Sequence, residues 1–179
     1  MMFERRRCWV VSMVLILGLV ACSKQSSEED IVVLKEYPMT GSLDVLAQDV
    51  VQMDDAISSD GNGAARIQVD TLTTVRLYET GDLDVENARI VYQAKIRTEG
   101  VEGKVYLEMW CSFPGKGEYF ARALQSPITG TTDWTSQETL FFLKPGENPD
   151  NVKLNIAVDG KGTVWVDDVR LTKGPLGDV

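Results

Sequence analysis

Short apolar runs separated by turn residues recur along the chain, and in several of them apolar and polar positions alternate. Val152, Leu154, Ile156 and Val158 alternate with Lys153, Asn155 and Ala157, the period-2 mark of a strand with one buried face. Further apolar runs lie at 139–143 and 163–171. Asp159-Gly160-Lys161-Gly162 tolerates positive φ, so 152–158 and 163–171 are expected to form a β-hairpin. Upstream, strands are predicted over 65–69, 73–78, 88–97, 104–113 and 118–124. Gly81-Asp82, Gly100 with Gly103, and Pro114-Gly115-Lys116-Gly117 punctuate them, and Ser58 to Gly63 forms a strong turn signal before the first. Residues 31–34 read as a first edge strand, broken by Pro38, Gly41 and Ser42, while 45–53 fits a strand or a short helix. No long helical period intrudes. Roughly eight or nine short strands predict an all-β chain, an antiparallel β-sandwich rather than alternating βαβ units. A jelly roll is one such arrangement.

The C-terminal segment adds detail. It runs Thr132-Asp133-Trp134, a strand, a turn at Pro145-Gly146, a strand, Gly160-Lys161-Gly162, and then Val164-Trp165-Val166-Asp167-Asp168-Val169-Arg170-Leu171. This order resembles the C-terminal half of carbohydrate-binding modules with the galactose-binding-like jelly roll. The resemblance is clearest over 130–171 and extends more weakly from Asp54 onward. It implies that fold, with a ligand surface on a concave sheet face or at the loop edge. It also implies a structural calcium held by an aspartate of the Asp167-Asp168 pair, backbone carbonyls and an acidic residue near the first strand, for which Asp54, Asp55 and Asp60 are candidates. The residues alone leave a second possibility, that the buried carboxylate of the pair accepts backbone N–H bonds or meets an arginine.

The first residues carry an address. Arg5-Arg6-Arg7 precedes an apolar run of about 12 residues at 9–20, short of the about 20 that a spanning helix needs. The run ends in Leu19-Val20-Ala21-Cys22, which resembles the lipobox of bacterial lipoprotein signal peptides. The resemblance implies a signal peptide at 1–21, removed on export, and lipidation of Cys22; the alternative is an ordinary secretory signal with an incidental cysteine. Polar residues make 22–30 a flexible tether, and 31–179 the β-sandwich domain. Ser23 follows the cysteine in place of aspartate. The retention signal for the inner membrane is therefore missing, and the outer membrane is the expected address in a Gram-negative host. The lipid is the expected membrane contact, each buried methylene contributing about 0.8 kcal/mol.

Composition narrows the chemistry. The chain has no histidine among its 179 residues and carries a net charge of −9. Histidine-dependent nucleophilic triads and histidine-ligated zinc sites are excluded. Loss of 1–21 takes Glu4 and the three arginines with it, leaving 158 residues, 15 basic and 26 acidic side chains, and a net charge near −11. Nucleic acid is not an expected partner for so acidic a surface. With Cys8 removed and Cys22 lipidated, Cys111 stands alone, so the domain holds together without a disulfide.

One strand carries the candidate site. Over 104–113, Val105, Leu107, Met109, Cys111 and Phe113 share the core face, and Tyr106, Glu108, Trp110 and Ser112 share the other. An exposed Trp and Tyr flanking a carboxylate suit a sugar, because rings cover the apolar C–H face of a pyranose and the carboxylate accepts its hydroxyls. If 88–97 pairs with this strand, Gln93, Lys95 and Arg97 extend the patch, and Arg122 on the next strand extends it further. The alternative is that loops cover Trp110 and Tyr106 and that the charges are cross-strand pairs. Trp134 is expected in the core just before a strand, and Phe141 and Phe142 on opposite faces. The leading expectation is a non-catalytic lipoprotein that binds a glycan or a glycan-bearing partner at the cell envelope. A protein-interaction module of an envelope complex is the alternative. A glycosidase or lyase is third, since Glu108 has no evident second carboxylate for that chemistry.

Overall fold

The computed structural model describes residues 31–40, 45–47 and 49–176. The expected signal peptide, Cys22 and the expected tether therefore lie outside the described residues. Every regular element among those described is a β-strand: β1 Val32–Tyr37, β2 Val51–Asp54, β3 Ala64–Val69, β4 Thr73–Gly81, β5 Ala88–Phe113, β6 Gly117–Arg122, β7 Ile128–Leu143 and β8 Asn151–Gly174. All pairings are antiparallel, as the alternation predicts.

Two long strands generate the architecture. β5 and β8 pair along their whole length, from Arg89 opposite Gly174 to Ser112 opposite Asn151. Residues 88–98 of β5 take β7 on their free edge, with further pairs at Val101 and Val105 across the bend, and residues 108–113 take β6. The N-terminal part of β8 takes β4, while its C-terminal part takes β3 and then β1. β2 lines the outside of β3. The ribbon thus runs through two sheets. One is β2-β3-β8-β5-β7, with β1 beside β3 along β8; the other is β4-β8-β5-β6.

Glycines turn the ribbon from one sheet to the other. Gly103 (φ +131°) lies opposite Gly160 (φ +144°). A Cβ on Gly103 would stand 1.9 Å from the Asp159 carbonyl oxygen, and one on Gly160 would stand 1.9 Å from that of Glu102. Only residues without a side chain permit this approach. The hairpin expected at 159–162 is therefore corrected, because the same glycines bend a continuous strand. The turn expected at Gly100 and Gly103 is corrected likewise, since 88–97 and 104–113 are two parts of β5. The register between β5 and β8 shifts between Glu99 and Glu102, which marks the bend as a bulge.

The core fills the space between the sheets. Ile90, Tyr92, Ala94 and Ile96 from one half of β5 and Val105, Leu107, Met109 and Cys111 from the other belong to a single cluster. Leu154, Ile156, Val158, Val164, Val166 and Leu171 from β8 complete it. Cys111 is a free thiol, fully buried. Burial pushes its pKa up to about 12, so it packs as an unreactive hydrophobe. Phe141 packs against the core and Phe142 is exposed, as their alternation predicts. Trp134 departs from expectation: it lies within β7, half-buried, outside the core cluster.

Candidate functional site

The outer face of the β4-β8-β5-β6 sheet gathers the aromatic and charged side chains of the candidate strand. Alternation along β5 sends Tyr106, Glu108, Trp110 and Ser112 outward, opposite the buried set. Register then sets their neighbours. On β6, Arg122 stands opposite Glu108, Phe120 opposite Trp110 and Glu118 opposite Ser112. On β8, Asn155 stands opposite Glu108 and Lys153 opposite Trp110. Arg76 and Glu79 follow on β4, facing Asn155 and Lys153.

Glu108 is the centre of this face and is only 3% exposed. Trp110 Nε1 donates to its Oε1 at 2.6 Å, Asn155 Nδ2 to the same oxygen at 3.1 Å, and Arg122 Nε to Oε2 at 2.5 Å. Burial raises the pKa of Glu108, but the three donors and the Arg122 charge outweigh burial and hold it below the ordinary carboxylate range. It stays ionised, its oxygens engaged by protein donors. Its part is therefore to fix Trp110, Asn155 and Arg122 from beneath, where the sequence suggested direct contact with ligand hydroxyls.

Of the groups it fixes, Trp110 and Arg122 reach solvent, while Asn155 is buried. The Trp110 and Phe120 rings lie 5.0 Å apart at 45°, and the Arg122 guanidinium sits 4.4 Å from the Phe120 ring centre. Phe120 is 52% exposed, and Trp110 and Tyr106 are half-buried, so neither ring of the sequence-predicted pair is sealed off. Asn155 Oδ1 is buried with no partner, an acceptor oxygen beside the Glu108 cluster. On the rim, Lys153 Nζ and Ser112 Oγ both reach Glu118. The lysine contact is foremost among those holding the Glu118 carboxyl below the usual range.

Gln93, Lys95 and Arg97 do not join this face. They lie on the outer side of the other sheet, because β5 crosses at the glycine bend instead of folding back on itself. Gln93 donates to Glu138 at 2.8 Å, Lys95 pairs with Asp168 at 3.4 Å, and Arg97 pairs with Asp133 at 3.9 Å. Asn155, Lys153 and Phe120 take the places the sequence reading assigned to them. Asn155 and Lys153 were visible as the polar phase of 152–158, but their position on the site depends on β8 pairing with β5.

The five aspartates named for calcium divide between loop and strand; Asp60 stays within its own turn, accepting from Ser58 and Asn62. Asp54 Oδ2 accepts from Trp165 Nε1 at 2.8 Å, and its Oδ1 accepts the amides of Ala56 and Ile57; the indole bond does most to lower its pKa. Asp167, 1% exposed, accepts the Ser59 amide at 2.9 Å and the Asp168 amide at 2.8 Å. Asp168 has left-handed φ (+51°) at a bulge that breaks the strict alternation of this segment. It pairs with Lys95 and, at 2.8 Å, with Arg170. Asp55 is exposed. Among the described residues, no three acidic, cysteine or histidine side chains come together as a metal cage. N–H donors and cations serve the carboxylates of Asp54, Asp167 and Asp168, the second of the two arrangements open for the pair. A calcium at a hundredfold excess over its Kd stabilises by about 2.7 kcal/mol, roughly 5–10 °C in a domain this size. The expected result of adding calcium or a chelator is no such shift in thermal midpoint. A loss of that size on chelation, restored by calcium, would overturn this reading.

No protein-family model matches the chain, and no curated protein matches it. Solved structures do match. The CBM22-1 xylan-binding domain of Paenibacillus barcinonensis Xyn10C aligns with a TM-score of 0.60 at 9% identity, over 80% of this chain and 95% of that domain. A xylan-binding domain from CBM 22, formally x6b, gives 0.57 at 10% identity, over 83% and 97%. The CBM22-1–GH10 modules of Clostridium thermocellum xylanase 10B, complexed with xylohexaose, give 0.60 at 13% identity. There the alignment covers 79% of this chain and 29% of that longer one. The chain has the fold of these modules. It is an antiparallel β-sandwich of the jelly-roll type, as the C-terminal pattern implied.

Proposed function

We propose that this protein is a non-catalytic glycan-binding lipoprotein, held at a bacterial membrane through Cys22, with its ligand on the outer face of the β4-β8-β5-β6 sheet. The observation that carries the reading is the Glu108 cluster. A nearly covered carboxylate holds Trp110, Asn155 and Arg122 in fixed positions beside the exposed Phe120. Fixed rings and fixed donors are what a sugar site requires, because stacking and hydroxyl recognition are both directional. The fold, shared with domains described as xylan-binding, supports it. The carboxylates on this face support a non-catalytic role. Glu108 and Glu118 are both held below the ordinary range, so neither supplies the proton that glycoside cleavage takes from a raised-pKa acid.

The test is binding of the purified full-length protein to a panel of neutral and acidic polysaccharides. Phe120→Ala and Trp110→Ala are each expected to weaken binding of a neutral chain about tenfold, or about 1.4 kcal/mol. Phe120→Ala is the cleaner variant, since its exposed ring contributes little to the core. Binding at wild-type strength in both variants sinks the assignment of the face. No binding across the panel favours the protein-interaction reading, and partners from the membrane fraction would then be sought.

A further inference from the structure

A second hollow lies on the other side of β6. Tyr119 alternates with Phe120 along that strand, so its ring turns away from the Glu108 face. It stands edge-on to Phe113, with ring centres 5.9 Å apart, and Phe113 in turn lies 6.0 Å from Phe141. Phe142 closes the far wall. These rings line an open pocket with Lys116, Lys144 and Glu147 at its margin. Tyr119 and Phe142 are each 52% exposed, which is much ring surface to leave in water at one place.

What sets this hollow apart is that its cations stand beside exposed rings. Glu147 is committed to its own turn: its Oε2 accepts the Lys144 amide at 2.9 Å. The ammonium groups of Lys116 and Lys144 make no ion pair among the described residues. Lys95, Lys153 and Lys161 are matched, to Asp168, Glu118 and Glu102, whereas Lys35, Lys104 and Lys173 make no ion pair among the described residues either. In a chain of net charge −9, two unmatched cations beside exposed rings make a local site for an anion with an apolar face.

We propose that this hollow is a separate binding site for a carboxylated sugar ring, a hexuronate residue of an acidic glycan. The ring's C–H face would lie on Tyr119 and Phe142, and its carboxylate would meet Lys116 and Lys144. This deepens the glycan-binding reading but stands on different residues, and the two fail separately. A neutral pyranose would lack the charge attraction of the lysines, and polyglutamate would lack a flat C–H face for the rings.

The experiment titrates the full-length protein with oligogalacturonate, with a neutral oligosaccharide of equal length, and with polyglutamate of equal charge. The expected result is that oligogalacturonate binds at least tenfold more tightly than polyglutamate and weakens as salt rises. The Lys116→Gln, Lys144→Gln double variant is expected to lose that binding at least tenfold, and Tyr119→Ala to reduce it similarly, while Trp110→Ala keeps it. Both lysines are on the surface, so the double variant should fold, which its circular dichroism and thermal midpoint check. Three results would overturn the proposal: no uronate binding by the wild-type protein, uronate binding indifferent to the lysine pair, or equal affinity for polyglutamate. Loss of neutral-glycan binding in Trp110→Ala tests the other face and leaves this site untouched.

Discussion

Gly160→Ala is expected to lower the thermal midpoint by about 10 °C or more, a cost of about 3–5 kcal/mol in a domain of this size. Two effects add. The φ of +144° is one that residues with a Cβ rarely adopt, worth about 1–3 kcal/mol of strain. The new Cβ would also sit 1.9 Å from the Glu102 carbonyl oxygen, and that atom belongs to the backbone of the paired strand, so relief requires the ribbon to separate at its bend. Gly103→Ala should behave alike, because it meets Asp159 in the same way. Gly115 is the control. Its φ is also positive, at +71°, but nothing lies within 4 Å of its would-be Cβ. Gly115→Ala should cost only about 1 kcal/mol. Equal losses at Gly115 and Gly160 in thermal melts would show that close approach of the strands is not what the bend demands.

Glu108→Gln is expected to cost about 2–3 kcal/mol at neutral pH and much less in acid. Removing one partner of a buried charge cluster leaves the others uncompensated, which costs up to about 3–5 kcal/mol when all are buried. The lower figure applies here because Arg122 keeps 34% of its side chain in solvent. The pH dependence has a definite sign. The folded state depresses the Glu108 pKa, so the stability it contributes is fully present above the ordinary glutamate value of about 4.3 and is lost as pH falls through the folded value. The gap between wild type and variant should therefore be wide at pH 7 and close progressively below about pH 4. Other carboxylates with lowered pKa, among them Asp54 and Glu118, titrate in both proteins and cancel in the difference. Urea denaturation of both at a series of pH values measures the gap. A gap that is constant with pH would mean that Glu108 acts through shape alone.

Much of this was legible in the chain. The runs at 65–69, 73–78, 104–113 and 118–124 fall on β3, β4, β5 and β6, because a half-buried strand must alternate. The faces of 104–113 were assigned correctly for the same reason. Connectivity was not legible. Glycines with positive φ serve a hairpin and a strand crossing equally well, and only the partner strand distinguishes them. The patch of Gln93, Lys95 and Arg97 failed on that point alone, since each does face outward, but on the other sheet. The covering of Asp167 was hidden for a related reason. Ser59 lies 108 positions away, and no local pattern announces such a contact. Residues 45–53 could not be settled because, among those described, just the last three belong to a strand, Val51–Asp54, too few to show a period.

Because β5 and β8 pass through both sheets, the sandwich has no seam along which it could open. A hinge between the layers would have to tear the ribbon at Gly103 and Gly160, where the backbones already touch. A ligand therefore meets surfaces that are shaped before it arrives. The sheets need no ordering on binding, so what recognition spends on freezing the protein falls on exposed side chains such as Phe120. Selectivity among similar chains then falls to the rate at which each one leaves, and the rate of arrival is set by orientation and charge.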